Sequence, residues 1–240
     1  MSTINSLFHK VINKNKTIGF SITVVLIIIG FSWYYLEKKS DLIILCAGDS
    51  LTADGYPNWL QKRFNENKIK ATVIDRGVKG HTSGEYLRYM KRNNILRESD
   101  PDIILLQLGT NDVRIDADYT PTQQFINNMN QIILESIQYK NSRGKNPTVL
   151  ISTILPINDT KVSNFNQKSV QRVTEEINPA IEKLAAKWNL QLVNNYQLFQ
   201  DRNELLPGIH PTEKGYKVMS ENWFKHLLSI IKKKKVGNTS

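Results

Sequence analysis

Four short stretches carry residues that could do covalent chemistry together. They are Gly48-Asp49-Ser50-Leu51, Gly77-Val78-Lys79-Gly80-His81-Thr82, Gly109-Thr110-Asn111-Asp112 and Gly208-Ile209-His210-Pro211. A serine hydroxyl becomes a nucleophile when a nearby base takes its proton, and an attacked carbonyl needs donors for the oxygen that gains charge. Serine, imidazole and amide are the groups such a reaction uses. Each stretch also has a plain structural use. Ser50 could cap a helix, the glycines could serve turns, Asn111-Asp112 could cap another helix, and His210 could be a satisfied surface histidine.

The elements between these stretches decide whether they meet. Short apolar runs predict strands over Leu42–Ala47, Ala71–Asp75, Ile103–Leu108, Thr148–Thr153 and Gln191–Asn194. Helical spacing predicts helices over Pro57–Asn67, Ser83–Asn94, Pro121–Tyr139, Gln167–Trp188 and Thr212–Ile231. In the last of these, Val218, Met219, Trp223, Leu227 and Ile231 share one side. Strands alternating with helices of this length imply a parallel sheet covered on both faces. The loops that follow parallel strands share one edge, where α/β proteins bind ligands. All four stretches fall in such loops, and their convergence argues for function. Ser50 is then expected both to begin a helix and to act as a nucleophile.

Length and composition narrow the classes. The 240 residues suit one domain, and 40% hydrophobic with 22% charged content is ordinary for a globular chain. The formal charge of +10 is concentrated at the ends. Residues 1–39 carry +4 and Lys232–Lys235 carry +4, which leaves +2 for residues 40–231. A basic nucleic-acid-binding face would need its charge on the folded body, so no nucleic-acid partner is expected. The single cysteine, Cys46, excludes an internal disulfide and reads as a buried strand residue. The four histidines, at 9, 81, 210 and 226, have no metal-ligand spacing, and no phosphate-cradling loop occurs. Neither metal nor cofactor is expected.

Residues 17–36, TIGFSITVVLIIIGFSWYYL, carry no charge and are long enough to cross a bilayer as a helix. Trp33, Tyr34 and Tyr35 stand at its outer end, where aromatic rings favour the interface. No small-residue cleavage site follows, so the segment reads as an uncleaved, single-pass signal anchor with the remainder outside the cytoplasm. The expected layout is a basic cytoplasmic segment 1–16, the anchor 17–36, a linker 37–41, a domain 42–231 and a basic tail 232–240.

Taken together, the four stretches resemble the blocks of the SGNH, or GDSL, hydrolase family. GDSL at Gly48–Leu51, Gly80 within GVKGHTS, GTND at Gly109–Asp112 and His210-Pro211 follow the family's order across residues 42–231. The resemblance implies a flavodoxin-like three-layer α/β/α sandwich around a five-stranded parallel sheet. It implies a serine esterase with Ser50 as nucleophile, His210 as base, and an oxyanion hole formed by the N–H groups of Ser50 and Gly80 with the Asn111 amide. Asp49 and Asp112 are expected to brace loops. The family's Asp-x-x-His is broken, because Pro207 stands three residues before His210. Glu204, or Asp201 in its place, is the expected carboxylate partner, with a Ser-His pair oriented by a backbone carbonyl as the other arrangement. The expected substrate is a small acyl ester or an acylated glycan. Two other readings share the resemblance: an O-acyltransferase acting on envelope glycans, and a non-catalytic glycan-binding module favoured by Pro207. Because only Glu37–Asp41 separates anchor from first strand, Ser50 is expected up to about 20 Å beyond the strand's start, facing away from the membrane. These features specify no oligomeric state.

Overall fold

In the computed structural model, alternate residues of the central strands feed two different cores. The structure describes residues 42–53, 55–116, 119–158 and 164–236. The expected N-terminus 1–16, anchor 17–36 and linker 37–41 lie outside the described residues. Among the described residues, no helix is long and apolar enough to cross a membrane.

Five strands form one sheet: β1 (Leu42–Gly48), β2 (Ala71–Gly77), β3 (Ile103–Gln107), β4 (Thr148–Ser152) and β5 (Gln191–Val193). All neighbours are parallel, in the order β2-β1-β3-β4-β5. This is the flavodoxin-like doubly wound order. Leu45, Ala47, Ile104, Leu106, Val149 and Ile151 face one core. Ile44, Cys46, Ile103, Leu105 and Leu150 face the other. Burial on both faces explains why these strands read as unbroken apolar runs rather than as alternating ones.

The helices are α1 (Tyr56–Glu66), α2 (Ser83–Arg92), α3 (Ile95–Ser99), α4 (Thr122–Gln138), α5 (Gln167–Arg172), α6 (Asn178–Lys187), α7 (Asn195–Phe199) and α8 (Glu213–Val236). Tyr86 of α2, Phe125 and Ile132 of α4 and Ile181 of α6 fill the first core. Tyr56 and Phe64 of α1 and Trp223 and Leu227 of α8 fill the second. The expected elements are present with shifted ends. The helix expected over Ser83–Asn94 stops at Arg92, because Asn94 takes a left-handed conformation at φ 47° before α3 starts. The helix expected over Gln167–Trp188 contains a π-turn at Val173–Ile177 between α5 and α6. The last helix runs past Ile231 to Val236.

Register sets the site edge. Gly48 is level with Gly77 of β2 and with Gln107 of β3, so three loops leave the sheet side by side. β1 connects to β2 on one flank and has β3 on the other, which makes the β1/β3 crevice the topological switch point.

Trp223 supports the layer under this edge. It is fully buried, stacks on Tyr56 at 5.7 Å between centroids, and among the described residues its indole N–H has no partner. Its contribution is therefore apolar. Trp223→Ala is expected to lower stability by about 3–5 kcal/mol. Trp223→Phe is expected to cost less than Trp223→Ala, since it leaves a smaller cavity and keeps a ring against Tyr56. Urea denaturation followed by circular dichroism checks both.

Candidate active site

β1 ends at Gly48, and the chain then makes a tight turn rather than a helix. Asp49 Oδ1 accepts from the N–H of Leu51 at 2.9 Å, and its carbonyl accepts from Thr52 and Ala53 at 3.1 and 3.0 Å. α1 begins only at Tyr56, with Gly55 at its cap and no side-chain cap bond. The expected capping role of Ser50 is thus corrected: Ser50 sits in the turn, and its hydroxyl is committed elsewhere. That hydroxyl lies 2.9 Å from His210 Nε2. With the imidazole protonated at Nδ1, Ser50 Oγ–H donates to the Nε2 lone pair.

His210 arrives on the loop between α7 and α8, and other residues fix that loop. Thr212 N–H donates to the Leu205 carbonyl at 2.8 Å. Asn158 holds it from a second strand's loop: its Nδ2 donates to the Leu206 carbonyl at 2.6 Å and its N–H to the Gly208 carbonyl at 3.2 Å. The expected acids are not joined to the histidine. Glu204 is 58% exposed and accepts from Arg202 Nε at 3.2 Å. Asp201 is exposed in a left-handed turn at φ 59°. Among the described residues no carboxylate hydrogen-bonds to His210, whose bond is to Ser50. Partial withdrawal from water, and then the positive charge of Lys79, hold His210 below the ordinary histidine pKa.

The second and third loops bring Gly80 and Asn111 alongside. Gly80 is left-handed at φ 79°, and a Cβ built there would meet nothing within 4 Å. The backbone therefore needs glycine for its conformation, and it leaves open space at the cleft. Among the described residues, the N–H groups of Ser50 and Gly80 donate to no acceptor. Asn111 follows Gly109, which at φ 127° packs so closely on Ile154, Phe125 and Ile177 that a Cβ would meet them at 3.0–3.2 Å. Asn111 Nδ2 donates one hydrogen to the His81 carbonyl at 3.0 Å, and the amide's second hydrogen is left for another acceptor. Ser50, Gly80, Asn111 and His210 all line one open cleft of about 560 Å³, with Lys79 and Tyr216 among its other walls.

Two buried carboxylates lie beneath. Asp112 accepts from Ser83 N–H at 2.9 Å and Ser83 Oγ at 2.6 Å, which ties the third loop to the start of α2. Asn128 Nδ2 in turn donates to Ser83 Oγ at 3.0 Å. Burial raises the Asp112 pKa against those bonds. Burial pushes Asp49 up to about 7 against the bond from the Leu51 N–H. Both carboxylates brace loops, as their positions led us to expect. Arg172, 1% exposed at the end of α5, completes the support. It donates to the carbonyls of Asp112 and Thr120 at 2.6 Å each and to Glu176 at 3.0 Å. Sequence reasoning missed Arg172, Asn128 and Asn158. Nothing local distinguishes them from helix-surface or loop polar residues, because their partners lie tens of residues away.

A serine hydroxyl within hydrogen-bond reach of an imidazole thus shares one cleft with Gly80 and Asn111, and these are the kinds of group that nucleophilic acyl chemistry uses. The chain is similar to known proteins. Residues 46–218 match the model of the GDSL-like lipase/acylhydrolase family. An acetylxylan esterase of Xylanibacter ruminicola is 27% identical over 214 residues, covering 77% of this chain and 42% of the relative. A multidomain esterase of Ruminococcus flavefaciens is 24% identical over 161 residues, covering 67% of this chain and 20% of the relative. The chain thus spans less than half the length of these curated relatives. The crystal structure of a lipase/acylhydrolase from Enterococcus faecalis superposes with a TM-score of 0.63 at 18% identity, covering 77% of this chain and 94% of that one.

Lys79 gives the site a measurable electrostatic signature. Its charge opposes formation of the His210 imidazolium, so removing it favours the protonated ring. In Lys79→Met the His210 pKa is expected to rise toward the ordinary value, read from imidazole NMR titration. An unchanged titration would show that Lys79 does not act on His210.

Proposed function

The chain belongs to the GDSL-like lipase/acylhydrolase family, and from that premise we propose that it is a serine hydrolase of small carboxylic esters, acetyl esters of glycans foremost. The observation that carries the reading is the 2.9 Å contact between Ser50 Oγ and His210 Nε2. The acetylxylan esterase and multidomain esterase among its relatives support the substrate class.

In this reading Ser50 Oγ attacks the ester carbonyl carbon as His210 Nε2 takes its proton. The carbonyl oxygen, now negative, meets the N–H groups of Ser50 and Gly80 and the free hydrogen of Asn111 Nδ2. The C–O bond to the alcohol breaks, and His210 passes the proton to the departing oxygen. Water then attacks the acyl-serine, giving its proton to His210, and the acid leaves with Ser50 restored. Among the described residues no carboxylate hydrogen-bonds to His210, and in this reading Ser50 and His210 work as a pair. Glu204 has no part in it.

We also read residues 17–36 as a membrane anchor that holds the domain outside the cytoplasm. The support is their uncharged length and the aromatic residues at one end. A polar glycan ester is the substrate such a site would meet. A His210 with no carboxylate partner among the described residues favours a second reading, a glycan-binding module without turnover, which the experiment separates.

Hydrolysis of p-nitrophenyl acetate and release of acetate from acetylated xylan test the proposal. Ser50→Ala is expected to lose about 10⁴-fold or more in kcat. Asn111→Ala is expected to lose about 10²–10³-fold in kcat with KM little changed, because the oxyanion exists only in the transition state. Glu204→Gln is expected to stay within about threefold of the unmutated enzyme. Full activity in Ser50→Ala would overturn the reading, and binding of acetylated xylan without release of acetate would favour the module.

A further inference from the structure

His81 sits where two parts of the proposed oxyanion hole meet, although its own side chain does not line the cleft. Its backbone joins them. The residue before it is Gly80, whose N–H, in the Lys79–Gly80 peptide, is one proposed donor. Its carbonyl accepts from Asn111 Nδ2 at 3.0 Å, and the other hydrogen of that amide is a second donor. A rotation of this short segment would therefore re-aim both donors at once.

The ring holds the segment from behind. It is set edge-on to Tyr89 at 5.7 Å and 76°, and to Tyr86 at 6.5 Å and 72°. The two tyrosines are themselves 5.7 Å apart, and Tyr86 is fixed in turn by its hydroxyl, which donates to the Arg76 carbonyl at 2.9 Å. Edge-to-face contacts of this kind fix orientation as well as burying area. Among the described residues His81 Nδ1 is buried without a hydrogen-bond partner, so polar bonding through this nitrogen to them does not account for the ring's place. Packing does.

The attachment of the two loops does not depend on this ring. Asp112 already ties them through Ser83, at 2.9 and 2.6 Å. What remains for His81 is alignment. We propose that His81 is a positioning residue, whose ring, wedged against Tyr86 and Tyr89, aims the Gly80 N–H and the Asn111 amide at a common point. The proposal rests on the ester-hydrolase reading for its kinetic consequences, and on geometry alone for its effect on Asn111.

The test uses the full chain with p-nitrophenyl acetate. His81→Ala is expected to lower kcat about 10- to 100-fold, the scale of a misplacement of about 1 Å, with KM nearly unchanged. His81→Phe keeps an aromatic wedge without the imidazole, and should recover kcat to within about threefold of the parent. His81→Ala should cost less in the Asn111→Ala background than in the parent, because the Asn111 part of its effect is already lost and only the Gly80 part remains. Unchanged kcat in His81→Ala, a loss carried by KM, or a loss in His81→Phe equal to that in His81→Ala would each overturn the proposal. The side-chain amide resonances of Asn111 give a readout independent of turnover. They should move in His81→Ala and stay close to the parent in His81→Phe. If the parent enzyme hydrolyses no ester yet those resonances respond this way, the hydrolase reading fails and the positioning role stands. If they do not move in His81→Ala, the positioning role fails.

Discussion

A hydroxyl and an imidazole 160 residues apart in sequence meet at 2.9 Å, and the rest of the site depends on that contact. It exists because β1 ends at the sheet's switch point and the loop before α8 folds back over the same edge. Neither side is held by the contact itself, which is exposed and contributes little to stability. Ser50 is held by the Asp49 turn, and His210 by Asn158 and Thr212. A weak contact of this kind can be kept in line only by stronger ones around it. Here these are bonds to buried backbone, where an unmade bond costs about 1–3 kcal/mol.

Charge is distributed unusually around the reacting groups. Two carboxylates, Asp49 and Asp112, are buried below the loops, where they bond backbone N–H groups and Ser83. Among the described residues no carboxylate hydrogen-bonds to the imidazole, and Lys79 opposes its protonation. Proton transfer to His210 therefore gains no support from a carboxylate among the described residues. In a protease triad, loss of the carboxylate's influence costs about four orders of magnitude in kcat. The proposed chemistry leans accordingly on the oxyanion donors, and so on the Gly80–His81 and Asn111–Asp112 loops.

Much of the fold was legible because its signals are local. Ile103–Gln107 is apolar at every position but its last and is buried on both faces, which an unbroken run announces. The edge was legible too, since parallel strands place the loops of Ser50, Gly80 and Asn111 together. What escaped depends on distant partners. The turn at Ser50 follows from Asp49 capturing the Leu51 N–H, a choice that a Gly-Asp-Ser string shares with helix caps. The π-turn at Val173–Ile177 follows Arg172, whose guanidinium reaches carbonyls 52 and 60 residues away. Glu204 lies close to His210 in sequence, but its carboxylate bonds Arg202 instead. Proximity along the chain gave no guide to contact there.

The most direct test of the central claim is stoichiometric labelling of the full chain by a fluorophosphonate, with the modified peptide located by mass spectrometry. A nucleophilic Ser50 served by His210 should take up one equivalent of label on the peptide that carries Gly48-Asp49-Ser50. Labelling should vanish in Ser50→Ala and slow strongly in His210→Ala. Label on any other residue, or undiminished labelling in His210→Ala, would contradict the account, because the 2.9 Å contact would then not be activating the serine.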